Sequence, residues 1–159
     1  MLYVDSSALV KHYIREAGTD SLNAKLTEES TRNASVFVST LAYAEILAAF
    51  ARRLREKLLT KLEASELFHH FQDDWMFELN HVELSASVQG FIPRLVENYP
   101  LRGPDVVHLA SALSVRGSLR LGQQSGTPSS IITFASSDEQ LKNAASAEGL
   151  AVFDPESTP

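Results

Sequence analysis

Leu2-Tyr3-Val4-Asp5-Ser6-Ser7-Ala8-Leu9 opens the chain with a short apolar run, an acid where the run stops, and two hydroxyl residues before apolar spacing resumes. The apolar run reads as a buried strand. Asp5-Ser6-Ser7 supplies N-cap chemistry for a helix over about 8–15, since a short side-chain oxygen accepts from the free N–H groups of a first turn. A strand that feeds directly into a helix is the first half of a β-α-β unit, and the rest of the chain continues that pattern.

A second helix starts at Gly18-Thr19-Asp20, with Leu22 and Leu26 on one face. Val36-Phe37-Val38 is the next strand, followed by the cap residues Ser39-Thr40 and a long helix with Leu41, Ala44, Leu47, Ala48 and Ala51 at helical spacing. An amphipathic helix over about 60–77 offers Leu62, Phe68, Phe71 and Trp75 as core anchors. Its aromatic and leucine content suits either core packing or a groove for a partner helix. His81-Val82-Glu83-Leu84 alternates like a half-buried strand, and a helix over 85–98 follows, ended by Pro100. Gly103-Pro104 starts a helix that runs to about 115. Residues 117–130, rich in Gly, Ser and Gln, read as a long flexible excursion. Ile131-Ile132-Thr133-Phe134 is a strand, a helix over about 138–147 stops at Gly149, and Leu150-Ala151-Val152-Phe153 is the last strand. Strands alternating with helices and lacking hairpin turns predict an α/β fold, a parallel sheet covered by helices, as a single domain over 1–159. Sites in such sheets form beyond the carboxyl ends of the strands.

Composition narrows the chemistry. With 159 residues the chain buries a core without external staples. The absence of cysteine excludes disulfide frameworks, zinc–thiolate sites, iron–sulfur clusters and a cysteine nucleophile. Fourteen basic against 20 acidic residues give a net charge of −6, which argues against a protein that holds nucleic acid mainly by overall charge. No apolar run approaches the roughly 20 residues of a membrane span. The first residues lack the basic flank and apolar stretch of a signal peptide, so a cytoplasmic location is expected.

Four acids stand where such a fold presents its site. Asp5 follows the first strand, and helix capping is an adequate alternative role for it. Glu45 has Leu41, Ala42, Ala48 and Ala49 as helical neighbours, so it sits on an apolar stripe. A carboxylate there needs a partner or a cation, because stripping its water costs several kcal/mol; a buried pair with an arginine is the alternative. Asp105 lies in a first helical turn, where the helix dipole also accounts for an acid. His108, three residues on, shares its face but is surrounded by apolar neighbours, which favours a packed, hydrogen-bonded histidine over a ligand. Asp138 lies in Ser136-Ser137-Asp138-Glu139, where Ser136 and Glu139 match a capping box that does not itself require Asp138. Clustered carboxylates repel one another unless a cation neutralises them. Oxygen donors without cysteine or paired histidines suit Mg²⁺ or Mn²⁺, which activate water and stabilise charge on a phosphoryl group. On this basis Glu45→Gln is expected to raise metal-free stability by relieving repulsion.

Leu2-Tyr3-Val4-Asp5-Ser6-Ser7-Ala8-Leu9, Leu41-Ala42-Tyr43-Ala44-Glu45, Pro104-Asp105-Val106-Val107-His108-Leu109-Ala110 and Phe134-Ala135-Ser136-Ser137-Asp138-Glu139-Gln140-Leu141 resemble, in order and across nearly the whole chain, the four signature blocks of the PIN-domain ribonucleases. Within that family the chain is most similar to the VapC-type toxins of toxin–antitoxin pairs. The resemblance implies a three-layer α/β/α fold with a mostly parallel central sheet. It also implies an endoribonuclease in which Asp5, Glu45, Asp105 and Asp138 hold one or two divalent ions, Mg²⁺ or Mn²⁺. A metal-activated water would then attack an RNA phosphodiester in line. Ser6 matches a small polar residue beside the first acid, and Ser136 falls where threonine is more frequent. A homodimer and a cognate antitoxin are implied as partners. For RNA contact the candidate is the basic run Arg52, Arg53, Arg55, Lys57 and Lys61, above all Arg52 and Arg53, with a solvated helix face as the alternative.

Other frames fit less well. A haloacid-dehalogenase phosphatase needs a second aspartate two residues after the first, where this chain has Ser7. A receiver domain needs an acidic pair near the first strand and a late lysine. A PIN fold kept as a non-catalytic interaction module remains the non-enzyme alternative.

Overall fold

The computed structural model describes residues 1–122 and 131–157. Five strands, β1 (Leu2–Val4), β2 (Val36–Ser39), β3 (Leu79–Val82), β4 (Thr133–Ala135) and β5 (Ala151–Phe153), form one sheet in the order β3-β2-β1-β4-β5. Every pairing in it is parallel; Leu2 stands opposite Val36 on one side and Thr133 on the other. The helices are α1 (Ser6–Tyr13), α2 (Thr19–Thr31), α3 (Leu41–Arg55), α4 (Lys61–Phe77), α5 (Ala86–Gln89), α6 (Ile92–Asn98), α7 (Gly103–Gly122) and α8 (Glu139–Ala147).

The two-residue period of the strands sorts the core into two halves. Leu2, Val4, Val38 and Ala135 point to one face, where they pack with Ala8 and Leu9 of α1, Leu22 of α2, Ile46 and Phe50 of α3 and Phe71 of α4. Tyr3 and Phe134 point to the other and meet Val88 of α5, Leu95 of α6, Leu109 and Leu113 of α7 and Leu141 of α8. This is the expected three-layer α/β/α arrangement. Short strands whose residues are fully buried on both faces, as Leu2, Tyr3 and Val4 are, belong in such a sandwich and nowhere else.

Several local expectations shift. The helix expected over 85–98 is two pieces, because Pro93 lacks the N–H that a continuous helix would aim at the Gln89 carbonyl. The third strand begins at Leu79 and ends at Val82, where its partner β2 also ends. The fourth begins at Thr133, leaving Ile131 exposed. α7 does not stop near 115 but continues to Gly122, so 117–122 are helix rather than the start of a flexible excursion; 123–130 lie outside the described residues. Leu62 is 69% exposed and anchors nothing. It lies nine residues before Phe71, which at 3.6 residues per turn is the opposite side of the helix. The inward stripe of α4 is instead Leu67, Phe71 and Trp75, four residues apart. The end of α8 is as expected: Gly149 adopts φ +75° just past the last turn.

Phe71→Ala is expected to cost about 3–5 kcal/mol of unfolding free energy, because the ring is fully buried among Tyr13, Tyr43, Phe50 and Trp75. Leu62→Ala is expected to change stability by less than about 0.5 kcal/mol. Urea denaturation of the two variants distinguishes the faces.

Candidate active site

β1 and β4 are neighbours, yet the chain leaves β1 into α1 on one face and β4 into α8 on the other. Such a reversal opens a crevice at the carboxyl ends of the two strands. Asp5 and Asp138 stand there. Asp5 is the N-cap of α1 and accepts from the Ala8 N–H at 2.9 Å; it also accepts the hydroxyls of Ser7 at 2.9 Å and Ser136 at 2.8 Å. Capping and site geometry therefore coexist in one side chain. Asp138 is itself the N-cap of α8 and accepts from the Leu141 N–H at 2.8 Å. This corrects the expectation that Ser136 caps this helix: the Ser136 hydroxyl accepts from the Asp138 N–H at 3.0 Å and donates to Asp5. Asp105 sits in the first turn of α7 and accepts from the Arg102 N–H at 3.2 Å.

Glu45 comes from α3, on the opposite layer from α7. Its Oε2 accepts from Ser6 Oγ at 2.6 Å and lies 2.8 Å from His108 Nε2. The partner of Glu45 is thus a histidine, not an arginine. His108 is packed and buried, with Nδ1 3.1 Å from the Tyr3 hydroxyl. An ionised carboxylate only accepts, so Nε2 carries the proton toward Glu45. Nδ1 is then the ring nitrogen that faces the Tyr3 hydroxyl. Burial above all pushes the Tyr3 phenol far up, which keeps it a donor.

Asp5, Ser6, Glu45, Asp105 and Asp138 line one cavity of about 560 Å³, together with His108, Arg52, Arg55 and Arg102. Ser136 is fully buried and touches the site through Asp5. Arg53 is directed elsewhere, pairing with Glu16 at 3.0 Å. Arg102 escaped the sequence analysis, although its position three residues before Asp105 signals a first-turn pair. The part played by His108 was also not legible, because Tyr3, Ser6 and Glu45 are remote from it in sequence.

Burial drives the Asp5 carboxyl upward, against the opposing influence of His108 charge, the Ala8 N–H and the Ser136 and Ser7 hydroxyls. Burial also opposes ionisation of Glu45, but hydrogen bonds from His108 and Ser6 and the charge of His108 together outweigh it and hold that carboxyl below its ordinary range. Among the described residues no lysine or arginine comes within ion-pair distance of Asp5, Glu45 or Asp138, and Arg102 approaches Asp105 only to 3.7 Å. Four carboxylates share a cavity with little direct compensation. That all-oxygen donor set fits a hard divalent cation such as Mg²⁺ or Mn²⁺.

The Glu45–His108 contact reverses the expected sign for Glu45→Gln. A carboxyl depressed on folding contributes stability that is present above its unfolded pKa, about 4.3, and is lost as pH falls through the lower folded value. The substitution is expected to lower metal-free stability at pH 7 by about 1 kcal/mol, the loss of a charge-assisted hydrogen bond discounted for partial exposure. The difference should shrink as the pH is taken below 4.3. Denaturant titrations across that range check both the sign and the window.

No family model matches the sequence. The chain is 38% identical over 115 residues to ribonuclease VapC45 and to ribonuclease VapC49, each from a strain of Mycobacterium tuberculosis; the match covers 72% of this chain and 76% of each relative. Its fold is similar to the FitAcB structure from Neisseria gonorrhoeae, with TM-score 0.68 and 15% identity over 98% of both chains. It is also similar to VapBC2 from Rickettsia felis bound to a promoter DNA fragment, with TM-score 0.64 and 14% identity over 97% of this chain and 98% of that one. Fold and sequence agree: the chain belongs to the VapC ribonuclease family of PIN-domain proteins.

Proposed function

We propose that this chain is a metal-dependent endoribonuclease and the toxin of a toxin–antitoxin pair, with 1–159 acting as one PIN-like unit. The observation that carries the site assignment is the gathering of four carboxylates, from three separate helix starts and one apolar helix face, into a single cavity at the topological switch of the sheet. Asp5, Glu45, Asp105 and Asp138 would hold Mg²⁺ or Mn²⁺, and a divalent ion there supplies Lewis acidity for the phosphoryl group and an activated water.

The chain's own side chains do the rest. Ser7 and Ser136 hold the Asp5 carboxylate by hydroxyl donation, and Ser6 and His108 fix one oxygen of Glu45. Arg52, Arg55 and Arg102 face the same cavity and supply guanidinium donors for the phosphates of a bound strand, so affinity for RNA resides in a local patch. Arg53, engaged by Glu16, contributes less than its neighbour. RNA as substrate places the work in the cytoplasm.

The antitoxin is a second expected partner, supported by the relatives named VapC and by the VapBC and FitAcB structures that share the fold. A homodimer belongs to the same proposal. No observation favours a non-catalytic interaction module.

The test is cleavage of a mixed RNA pool by purified protein with Mg²⁺ or Mn²⁺ and with EDTA. Cleavage should require the ion and fall about a hundredfold or more in Asp105→Asn, as loss of several kcal/mol of charge stabilisation demands. Asp5→Ala should do the same, with unfolding measured alongside because Asp5 also caps α1. Cleavage that survives EDTA and both substitutions would sink the metal mechanism. For binding, Arg52→Ala should weaken RNA affinity and reduce the slope of log affinity against log salt by about 1, whereas Arg53→Ala should leave that slope nearly unchanged.

A further inference from the structure

A second group of ligand-type side chains lies at the other end of α1, away from the carboxylate cavity. His12, near the last turn of α1, and His70 and Asp74, one turn apart on α4, bring their ligand atoms within 4.8 Å of one another. Both Nε2 atoms, of His12 and of His70, lie 3.5 Å from the same oxygen, Asp74 Oδ2. That distance is at the limit for a hydrogen bond. It is close to the edge of a zinc tetrahedron, since metal bonds of about 2.0–2.1 Å place neighbouring ligands about 3.3 Å apart.

The surroundings are those of a supported ligand set. His12 Nδ1 lies 2.6 Å from Asn23 Oδ1, so Nδ1 donates there and Nε2 is the ring nitrogen that faces Asp74. The Tyr13 hydroxyl donates to Asp74 Oδ2 at 2.9 Å. Outer partners of this kind orient ligating imidazoles and carboxylates. His12 and Asp74 line a cavity of about 560 Å³ that reaches Val36 and Leu79, the first residues of β2 and β3. It therefore opens at the amino ends of the strands, and six residues of α1, about 9 Å, separate Ser6 from His12. Two imidazoles and one carboxylate with an open side prefer a borderline transition metal, whereas the all-oxygen cavity prefers Mg²⁺ or Mn²⁺.

We propose that His12 Nε2, His70 Nε2 and the Asp74 carboxylate form a binding site for a divalent transition-metal ion, zinc foremost, with a fourth position open to water, and that the bound ion clamps α4 to α1. The site is independent of the nuclease assignment.

The experiment uses the full chain, free of any histidine tag and stripped with EDTA, titrated with Zn²⁺ by calorimetry and by thermal unfolding. The wild type should bind zinc with a rise in Tm. His70→Ala should lower the metal-free Tm only slightly, through loss of the ring's edge contact with Tyr13, while weakening zinc affinity at least tenfold and abolishing the zinc-dependent rise. Asn23→Ala, which removes only the outer partner of His12, should weaken affinity by about 10–100-fold. Asp105→Asn should leave this binding event intact. Equal zinc affinity in the wild type and His70→Ala would overturn the proposal, as would a binding event that disappears in Asp105→Asn instead.

Discussion

The carboxylate of Asp5 is buried at the end of the central strand, and the neighbouring structure is arranged around it. A charge there has lost nearly all its water, a cost of several kcal/mol that only hydrogen bonds or a cation offset. The chain supplies donors from two directions: the Ala8 N–H and Ser7 hydroxyl from α1, and the Ser136 hydroxyl from the loop after β4. Ser7 Oγ in turn accepts from the Ser137 N–H, and Ser136 Oγ from the Asp138 N–H. The starts of α1 and α8, which lie on opposite faces of the sheet, are thereby tied together at the point where their strands end. These donors leave the carboxyl still shifted upward. A site that is protein-satisfied only in part is one in which a cation gains most.

A second tie crosses the layers through His108. Its ring is rooted in the α5–α8 half of the core beside Tyr3, which stacks on Phe134 at 5.4 Å, and its Nε2 reaches Glu45 on the α1–α4 half. The sheet's own alternation makes this possible, since Tyr3 and its neighbours Leu2 and Val4 face opposite layers. Glu45 is consequently aimed by the core rather than by its own helix. An acid held by one oxygen leaves the other available, which suits a ligand better than a salt bridge to a flexible arginine would.

The fold was legible because its signals are local. The apolar runs at 2–4 and 36–38, the cap residues after them and the punctuation by Gly103-Pro104 and Gly149 each depend on a few neighbours. The misses have equally definite causes. Leu62 has the residue type of an anchor, whereas helical phase turns it away from Phe71. Gly117 suggests a loop, yet α7 carries the glycine inside a helix that runs on to Gly122. The carboxylates were legible by their place after strands and on an apolar stripe. Their hydrogen-bond partners were not, because Ser6, Glu45 and His108 are brought together by topology across 39 to 102 residues. The His12, His70 and Asp74 cluster escaped for the same reason: only the pair on α4 has a readable spacing.

The net charge of −6 counted against RNA as a ligand, and the structure shows why that weighing is too coarse. Charges more than about 8–10 Å apart are largely screened at physiological ionic strength, so a phosphate strand senses its immediate surroundings. Arg52 and Arg55 lie three apart on α3, and Arg102 precedes α7, so all three face the carboxylate cavity. Elsewhere acids are absorbed in pairs: Glu148 with Arg94, Glu16 with Lys11 and Arg53, Glu28 and Glu29 with Lys25. These pairs set four acids against four cations, so little net field remains around them at short range although the overall surplus is unchanged. A cation bound among those four carboxylates would cancel the repulsion that an incoming phosphate otherwise meets and would leave the arginines to attract it. The acids of the cavity would then be what makes the arginines lining it usable.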